Sequence, residues 1–187
     1  LLRLARSHVR FGHFEFFYYT RQYQQLHQIM DYVLEQHYPE CQTAEDPMGA
    51  MFAAITRRTA RLLAGWQAYG FCHGVMNTDN MSIVGETLDY GPFAFLERYQ
   101  PSYVCNSSDI GARYAFDQQV EMGEWNLTAL GQTFTGRVEL EDLRQTLAGY
   151  QSCYAEQYLQ LMRARLGLAG EDERDQALVD RLLALLE

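Results

Sequence analysis

The sequence predicts a mainly α-helical fold that carries one small β-hairpin. Apolar residues recur at three- and four-residue spacing over several long stretches, which is the period of a helix face. Residues 81–88 instead suggest two short apolar strands around a Gly-Glu turn. The chain has 187 residues, of which 48% are hydrophobic and 21% charged, so it can bury one substantial core. We therefore expect a single domain over residues 1–187.

The first part of the chain favours three helices. Residues 9–19 are rich in aromatic side chains, and alternation at their start allows a strand before the pattern becomes helical. Residues 21–37 follow one helix face, and Pro39 closes that segment. The clearest helix begins at Asp46, a capping residue followed by proline, and Gly70 ends it.

The rest of the chain supplies the hairpin and two further helices. Residues 81–84 and 87–88 are the predicted strands, joined through a turn of glycine and glutamate. Downstream, apolar and aromatic residues from 140 to 161 form one long helical stripe. A last amphipathic helix is expected near 175–186, after a glycine-containing break.

Composition argues against nucleic-acid and membrane partners. The net charge is −9 and the sequence pI is about 5.0, so a phosphate backbone would be repelled. No stretch reaches the roughly 18 apolar residues that a membrane span needs. The cysteines are widely separated and form no C-x-x-C pair, which argues against a zinc site and fits a reducing compartment.

Residues 73–91 carry the pattern that points to chemistry. His73 and the following glycine open a polar loop, Asn80 ends it, the predicted hairpin follows, and Asp89 begins an Asp-Tyr-Gly motif. Kinase-like proteins arrange a metal-binding loop, two short strands and an Asp-aromatic-Gly motif in this order. Because a tight hairpin returns its outer ends to one place, Asn80 and Asp89 can share one ion. Magnesium prefers such hard oxygen ligands.

The acid that a kinase uses as proton acceptor is missing from its usual place. It would stand five residues before Asn80, where this chain has Val75, and an acid lies instead directly beside the asparagine, at Asp79. Two interpretations stay open: Asp79 is the proton acceptor, or the protein is a pseudokinase that binds nucleotide without transfer. The same residues are also common turn formers, and we expect His73 to hold the loop rather than to catalyse.

Two arginines near the start of the sequence, Arg3 and Arg10, flank a Ser-His pair. A guanidinium group can hold a phosphate through its fork of donors. Taken alone, these two residues are better explained as ordinary surface charge.

Four segments of the chain resemble the selenoprotein O family of protein adenylyltransferases. They are HGVMNTDNMS at 73–82, LDYGPF at 88–93, ARSHVRFGHF at 5–14 and GEWNL at 123–127. The first two contain the candidate loop and the Asp-Tyr-Gly motif. The third is similar to the segment that enters the family's C-terminal lobe, and the fourth to another family signature. The match spans most of the chain.

The resemblance implies a protein-kinase-like C-terminal lobe, which would be part of an α+β fold in the full-length parent. It implies that the parent binds ATP in a reversed orientation and transfers AMP to Ser, Thr or Tyr hydroxyls of proteins. Asp79 would be the proton acceptor, Asn80 and Asp89 the ligands of Mg²⁺ or Mn²⁺, and Arg3 and Arg10 the contacts to the nucleotide phosphates.

The chain also departs from the family pattern. The Gly-rich loop, the phosphate-binding lysine and its glutamate partner have no counterpart here, and neither does the C-terminal redox tail. We therefore expect a fragment that does not catalyse alone, from a parent in the bacterial cytoplasm or, in a eukaryote, in mitochondria. The alternatives are a conventional kinase that uses Asp79 as base, and a pseudoenzyme or helical interaction module.

Overall fold

The computed structural model of the protein describes residues 4–187 and confirms that the fold is mainly helical. In this part of the chain two short strands form the one antiparallel sheet. The α-helices are α1 (Phe11–Tyr19), α2 (Tyr23–His37), α3 (Pro47–Tyr69), α4 (Gln119–Phe134), α5 (Leu140–Ala148), α6 (Tyr150–Leu166) and α7 (Asp175–Leu186), and the strands are β1 (Phe71–Cys72) and β2 (Ala94–Phe95). Among the described residues, no helix is both long and apolar enough to cross a bilayer.

Helix α3 is the centre of the core and begins and ends where the sequence predicts. The Asp46 carboxylate accepts hydrogen bonds from the backbone N–H groups of Met48 and Gly49, at 3.1 and 3.0 Å, and so caps the first turn. Gly70 ends the helix in the left-handed conformation, with φ of 69°. Along its length α3 packs against α2, α4, α5 and α6. Its C-terminus therefore fixes the start of the candidate loop.

The prediction of two hairpin strands at residues 81–84 and 87–88 is wrong, because the chain forms no regular strand there. Met81 makes a single bridge to Thr87, and the chain turns at residues 83–85, where the Gly85 N–H bonds the Ser82 carbonyl at 3.2 Å. Ile83 is fully buried, so it turns into the core instead of continuing a strand. The strands of the sheet lie on either side of this region, in β1 and β2.

Residues 81–83 pair with the N-terminal segment. The Phe11 N–H donates to the Met81 carbonyl and the Ile83 N–H donates to the Val9 carbonyl, both at 3.0 Å. Arg10 lies between these two bonds and forms a bridge with Ser82. Of the alternation noted at the start of residues 9–19, only Val9 and Arg10 are extended, because α1 already begins at Phe11. This short extended segment brings Arg10 to the end of the candidate loop.

Two further differences concern the helices. The predicted stripe from 140 to 161 is broken at Gly149, where α5 ends and α6 begins. Helix α4 was not predicted, although half of its residues are buried and it packs on both α1 and α3. The predicted last helix is confirmed as α7, which packs on α6.

Candidate active site

Two amides of α4 hold the candidate loop, residues 73–80, by its backbone. The Gln119 side chain accepts from the His73 N–H at 2.8 Å and donates to the Phe71 carbonyl at 2.9 Å. Further along the loop, Asn126 Nδ2 donates to the Met76 carbonyl at 2.9 Å. Both amide side chains are completely buried. Both amide atoms of Gln119 are paired, whereas Asn126 Oδ1 is buried without a hydrogen-bond partner among the described residues. Because losing a hydrogen bond to a buried backbone group is costly, these bonds tie the loop conformation to the core.

His73 joins the loop to the residue before Asp89. Its ring is buried and stacks on Trp66 with centroids 5.2 Å apart. Nδ1 accepts from the Val75 N–H at 3.4 Å, so Nε2 carries the proton and donates to the Leu88 carbonyl at 2.7 Å. Burial lowers the pKa of His73, which keeps the ring neutral. The histidine therefore has the structural role that the sequence predicts.

Asp79 and Asn80 lie in a short 3-10 turn, Thr78–Asn80. Asn80 Nδ2 donates to the Val75 carbonyl at 2.8 Å, which leaves its Oδ1 as an available acceptor. The exposed Asp79 side chain lies directly over Gly12 of α1. A Cβ added at Gly12 would lie 2.9 Å from the Asp79 Cγ and would overlap its Oδ1. The glycine thus leaves the space that the Asp79 carboxylate occupies.

Asp89 adopts a backbone conformation that few residues tolerate. Its φ is 52°, in the left-handed region that aspartate enters more readily than most side chains do. The Gly91 N–H closes a tight turn by bonding the Asp89 carbonyl at 2.7 Å. This turn separates the Asp89 side chain from the buried Leu88 and leaves the carboxylate exposed.

Arg10 brings the loop and Asp89 together. Its Nη1 donates to the backbone carbonyl of Asp79 at 2.8 Å, and the same nitrogen forms an ion pair with Asp89 Oδ2. The structure therefore brings Arg10 into contact with two other predicted site residues, Asp89 through its carboxylate and Asp79 through its backbone carbonyl, and Asn80 follows Asp79 in the chain. Arg3, the remaining predicted residue, lies outside the described residues.

The contact between Arg6 and Glu86 fastens the same N-terminal segment a second time. The Arg6 backbone N–H and its Nε both donate to the Glu86 carboxylate, at 3.1 and 2.5 Å. Since this pair lies beyond the bridge between Arg10 and Ser82, it limits how far Arg10 can move from the site. Sequence reasoning missed this pair, and it also missed the roles of Gly12 and the two amides of α4.

The oxygen ligands present suit a hard divalent cation held mainly by substrate. Within residues 4–187, no group of three or more His, Cys, Asp or Glu side chains could hold a metal ion. Asn80 and Asp89 offer one amide oxygen and one carboxylate. Magnesium is commonly bound by one or two protein oxygens together with phosphates and water. The two residues fit that mode, and they do not form a complete protein cage.

Two thiols lie behind the loop. Cys72 Sγ and Cys105 Sγ are 3.4 Å apart, and Cys105 also packs against Gly74. Burial, reinforced by the neighbouring Cys105, raises the pKa of the Cys72 thiol to about 12. Cys72 is therefore a protonated, buried thiol, whereas Cys105 is partly exposed.

Comparison with known proteins identifies the family. The family model described as Protein adenylyltransferase SelO matches residues 1–187. The chain is 56% identical over 187 residues to Protein nucleotidyltransferase YdiU of Pseudomonas putida strain GB-1, a match that covers 100% of this chain and 38% of that protein. The proteins of the same name from Ectopseudomonas mendocina strain ymp and Pseudomonas aeruginosa strain LESB58 are 54% and 56% identical, with the same coverage. The chain thus spans 38% of the length of these relatives. It belongs to the SelO family.

Proposed function

We propose that the full-length protein transfers AMP from ATP to Ser, Thr or Tyr hydroxyls of other proteins. The observation that carries this proposal is the position of Arg10, whose guanidinium group contacts both the Asp79 carbonyl and the Asp89 carboxylate. This contact supports the proposal because it links Arg10, the proposed phosphate-binding residue, to Asp89, the proposed metal ligand, and to the backbone of Asp79, the proposed proton acceptor. Family membership supports nucleotidyl transfer as the reaction class.

Each residue of the site has a separate role in the proposed transfer. Asp79 is exposed at the end of the loop and takes the proton of the attacking hydroxyl. Asn80 and Asp89 hold Mg²⁺ or Mn²⁺, which when bound supplies charge stabilisation for the phosphates. Arg10, together with Arg3, holds nucleotide phosphate. The hydroxyl oxygen bonds to the α-phosphorus while the bond to the leaving pyrophosphate breaks.

Residues 1–187 contain 15 arginines and no lysine, so no lysine of this segment can bind the phosphates. We propose that the remaining nucleotide contacts come from other parts of the full-length protein, and that residues 1–187 alone do not turn over. The partners are ATP and acceptor proteins. With a net charge of −9, nucleic acid is not an expected partner.

The test uses the full-length protein with magnesium, a generic acceptor protein and ATP labelled on either the α- or the γ-phosphate. We expect AMP to be added to the acceptor, as read by intact mass, and Asp89→Ala to abolish the addition. Asp180→Ala, which removes an exposed carboxylate on α7, is the matched control and should leave it unchanged.

Asp79→Ala separates the roles within the site. A general base acts mainly in the transition state, so kcat should fall by about 10²–10⁴ while ATP affinity changes little. Addition of a phosphate mass instead of AMP would indicate a conventional kinase. If Asp89→Ala leaves ATP affinity unchanged and no group is transferred to the acceptor, the protein is better explained as an interaction module and the proposal is contradicted.

A further inference from the structure

A continuous surface leads away from the loop that carries Asp79. The Tyr114 hydroxyl donates a short hydrogen bond to Asn77 Oδ1, two residues before Asp79. This bond fixes the segment around residue 114 against the loop. Asn77 is exposed, Tyr114 is half-buried, and Asp79 is exposed two residues further along the loop.

Arg113 is held between two aromatic rings on this surface. Its guanidinium carbon lies 5.1 Å from the ring centroid of Trp125 and 5.7 Å from that of Tyr114. Such cation–π contacts restrain the guanidinium group, while Arg113 stays exposed to solvent. The side chain is thus preorganised to bind an acceptor group without a large loss of conformational freedom.

Among the described residues, Arg113 forms no ion pair with a carboxylate, although the chain carries a net charge of −9. Across residues 4–187, the ion pairs of the structure involve other arginines. The nearby Asp109 carboxylate is already engaged, because its two oxygens accept from the backbone N–H groups of Arg113 and Tyr114 at 3.0 and 2.7 Å. A positive group that is oriented but unpaired suits a negative partner from outside the chain.

Trp125 connects this arginine to an apolar groove between α1, α4 and α5. The groove has a volume of about 440 Å³ and Leu143 and Leu147 contribute to its wall. The three large apolar side chains at its edge are well exposed: Trp125 by 52%, Tyr19 by 61% and Leu140 by 50%. An exposed cluster of this kind commonly marks a site of protein interaction.

We propose that Asn77, Arg113, Tyr114, Trp125 and this groove form an acceptor-docking surface. It binds a segment of an acceptor protein that carries an acidic side chain near the target hydroxyl and a large apolar side chain further along. The acidic side chain pairs with Arg113, and the apolar one enters the groove beside Trp125. The inference rests on the proposed AMP transfer, because it places the hydroxyl of the same segment at Asp79.

Synthetic peptides and the full-length protein test the surface. Each fluorescein-labelled peptide carries one serine and one leucine, with either glutamate or lysine between them, and its binding is measured by anisotropy alongside AMP incorporation. The wild-type protein should prefer the glutamate peptide, and Arg113→Glu should reverse the preference by about tenfold in Kd. Trp125→Ala should weaken binding of the leucine peptides but not of matched alanine peptides.

Arg165→Glu is the matched control, because Arg165 stacks on Tyr69 at the same distance of 5.1 Å but lies on α6, away from the loop. It should leave the peptide preference and the KM for ATP unchanged. A preference for glutamate that survives in Arg113→Glu, or that reverses equally in Arg165→Glu, overturns the docking surface. If the preference reverses as expected but no AMP is incorporated, the surface stands and the proposed transfer fails.

Discussion

Replacing Gly12 by alanine should remove the function of Asp79 while leaving the fold intact. The added Cβ would overlap Asp79 Oδ1 and lie 2.9 Å from its Cγ, so the carboxylate must rotate away. The carboxylate is the exposed end of a flexible side chain, so its rotation alone costs little stability. The Cβ would also lie 3.2 Å from the Asp79 Cα, so the loop backbone must shift by a few tenths of an ångström as well. Alanine is also a better helix former than glycine by about 0.5–1 kcal/mol, which offsets part of that cost.

The expected loss is therefore in the rate of transfer. If Asp79 is the general base, its displacement should lower kcat by up to about 10²–10⁴, the usual contribution of such a group. In the full-length protein, AMP incorporation would be measured with ATP binding and thermal unfolding. Binding should change little, and the melting temperature should stay close to that of the wild type.

Gly65→Ala is the control, since Gly65 lies within α3 and a Cβ there meets no atom within 4 Å. The same substitution should raise stability slightly and leave transfer unchanged. A Gly12→Ala protein that is folded and fully active would refute the assignment of Asp79. A protein that loses stability and activity together would show that Gly12 serves the packing of α1.

Three further results are expected. Because burial lowers the pKa of His73, the unfolded chain takes up a proton at a higher pH than the folded protein does. The contribution of His73 to the free energy of unfolding should be complete above about pH 6.5 and should fall on acidification by up to about 1.4 kcal/mol per pH unit. Urea unfolding at several pH values should show a shallower fall of this free energy in His73→Gln. Asn126→Ala removes the donor to the buried loop carbonyl of Met76 and should cost about 1–3 kcal/mol in denaturant unfolding. Iodoacetamide at pH 8 should label Cys105 well before Cys72, whose pKa is raised to about 12. Peptide mass mapping measures the order of labelling, and labelling of Cys72 first would contradict this prediction.

The parts of the fold that the sequence predicts well are those with local causes. Helix α3 is recognisable because its cap, its apolar spacing and its terminal Gly70 lie within one continuous segment. The stripe from 140 to 161 misled the prediction because apolar spacing continues across Gly149, although the chain changes direction there. Spacing describes which face is apolar, and it does not require the helix to be uninterrupted.

The candidate site depends on contacts that local patterns cannot contain. Residues 81–83 looked like one strand of a hairpin because they are apolar, but their main partner is the segment around Arg10, some 70 positions earlier in the chain. The two amides that hold the loop belong to α4, about 50 residues later. Only the quoted similarity of residues 123–127 to a family signature pointed to this helix, and it did not reveal what Asn126 does.

The ion pair between Arg10 and Asp89 has a consequence for how the proposed substrates bind. In the structure each side chain neutralises the other. If nucleotide and cation bind as proposed, Asp89 would exchange Arg10 for the cation and Arg10 would exchange Asp89 for phosphate, so both would keep an opposite charge. Nucleotide alone would leave Asp89 beside a negative phosphate, and the cation alone would leave Arg10 beside a positive ion. Both like-charge contacts are unfavourable. The pair is partly exposed, so this penalty is modest, but its sign favours joint binding: cation affinity at Asp89 should rise when the nucleotide is present.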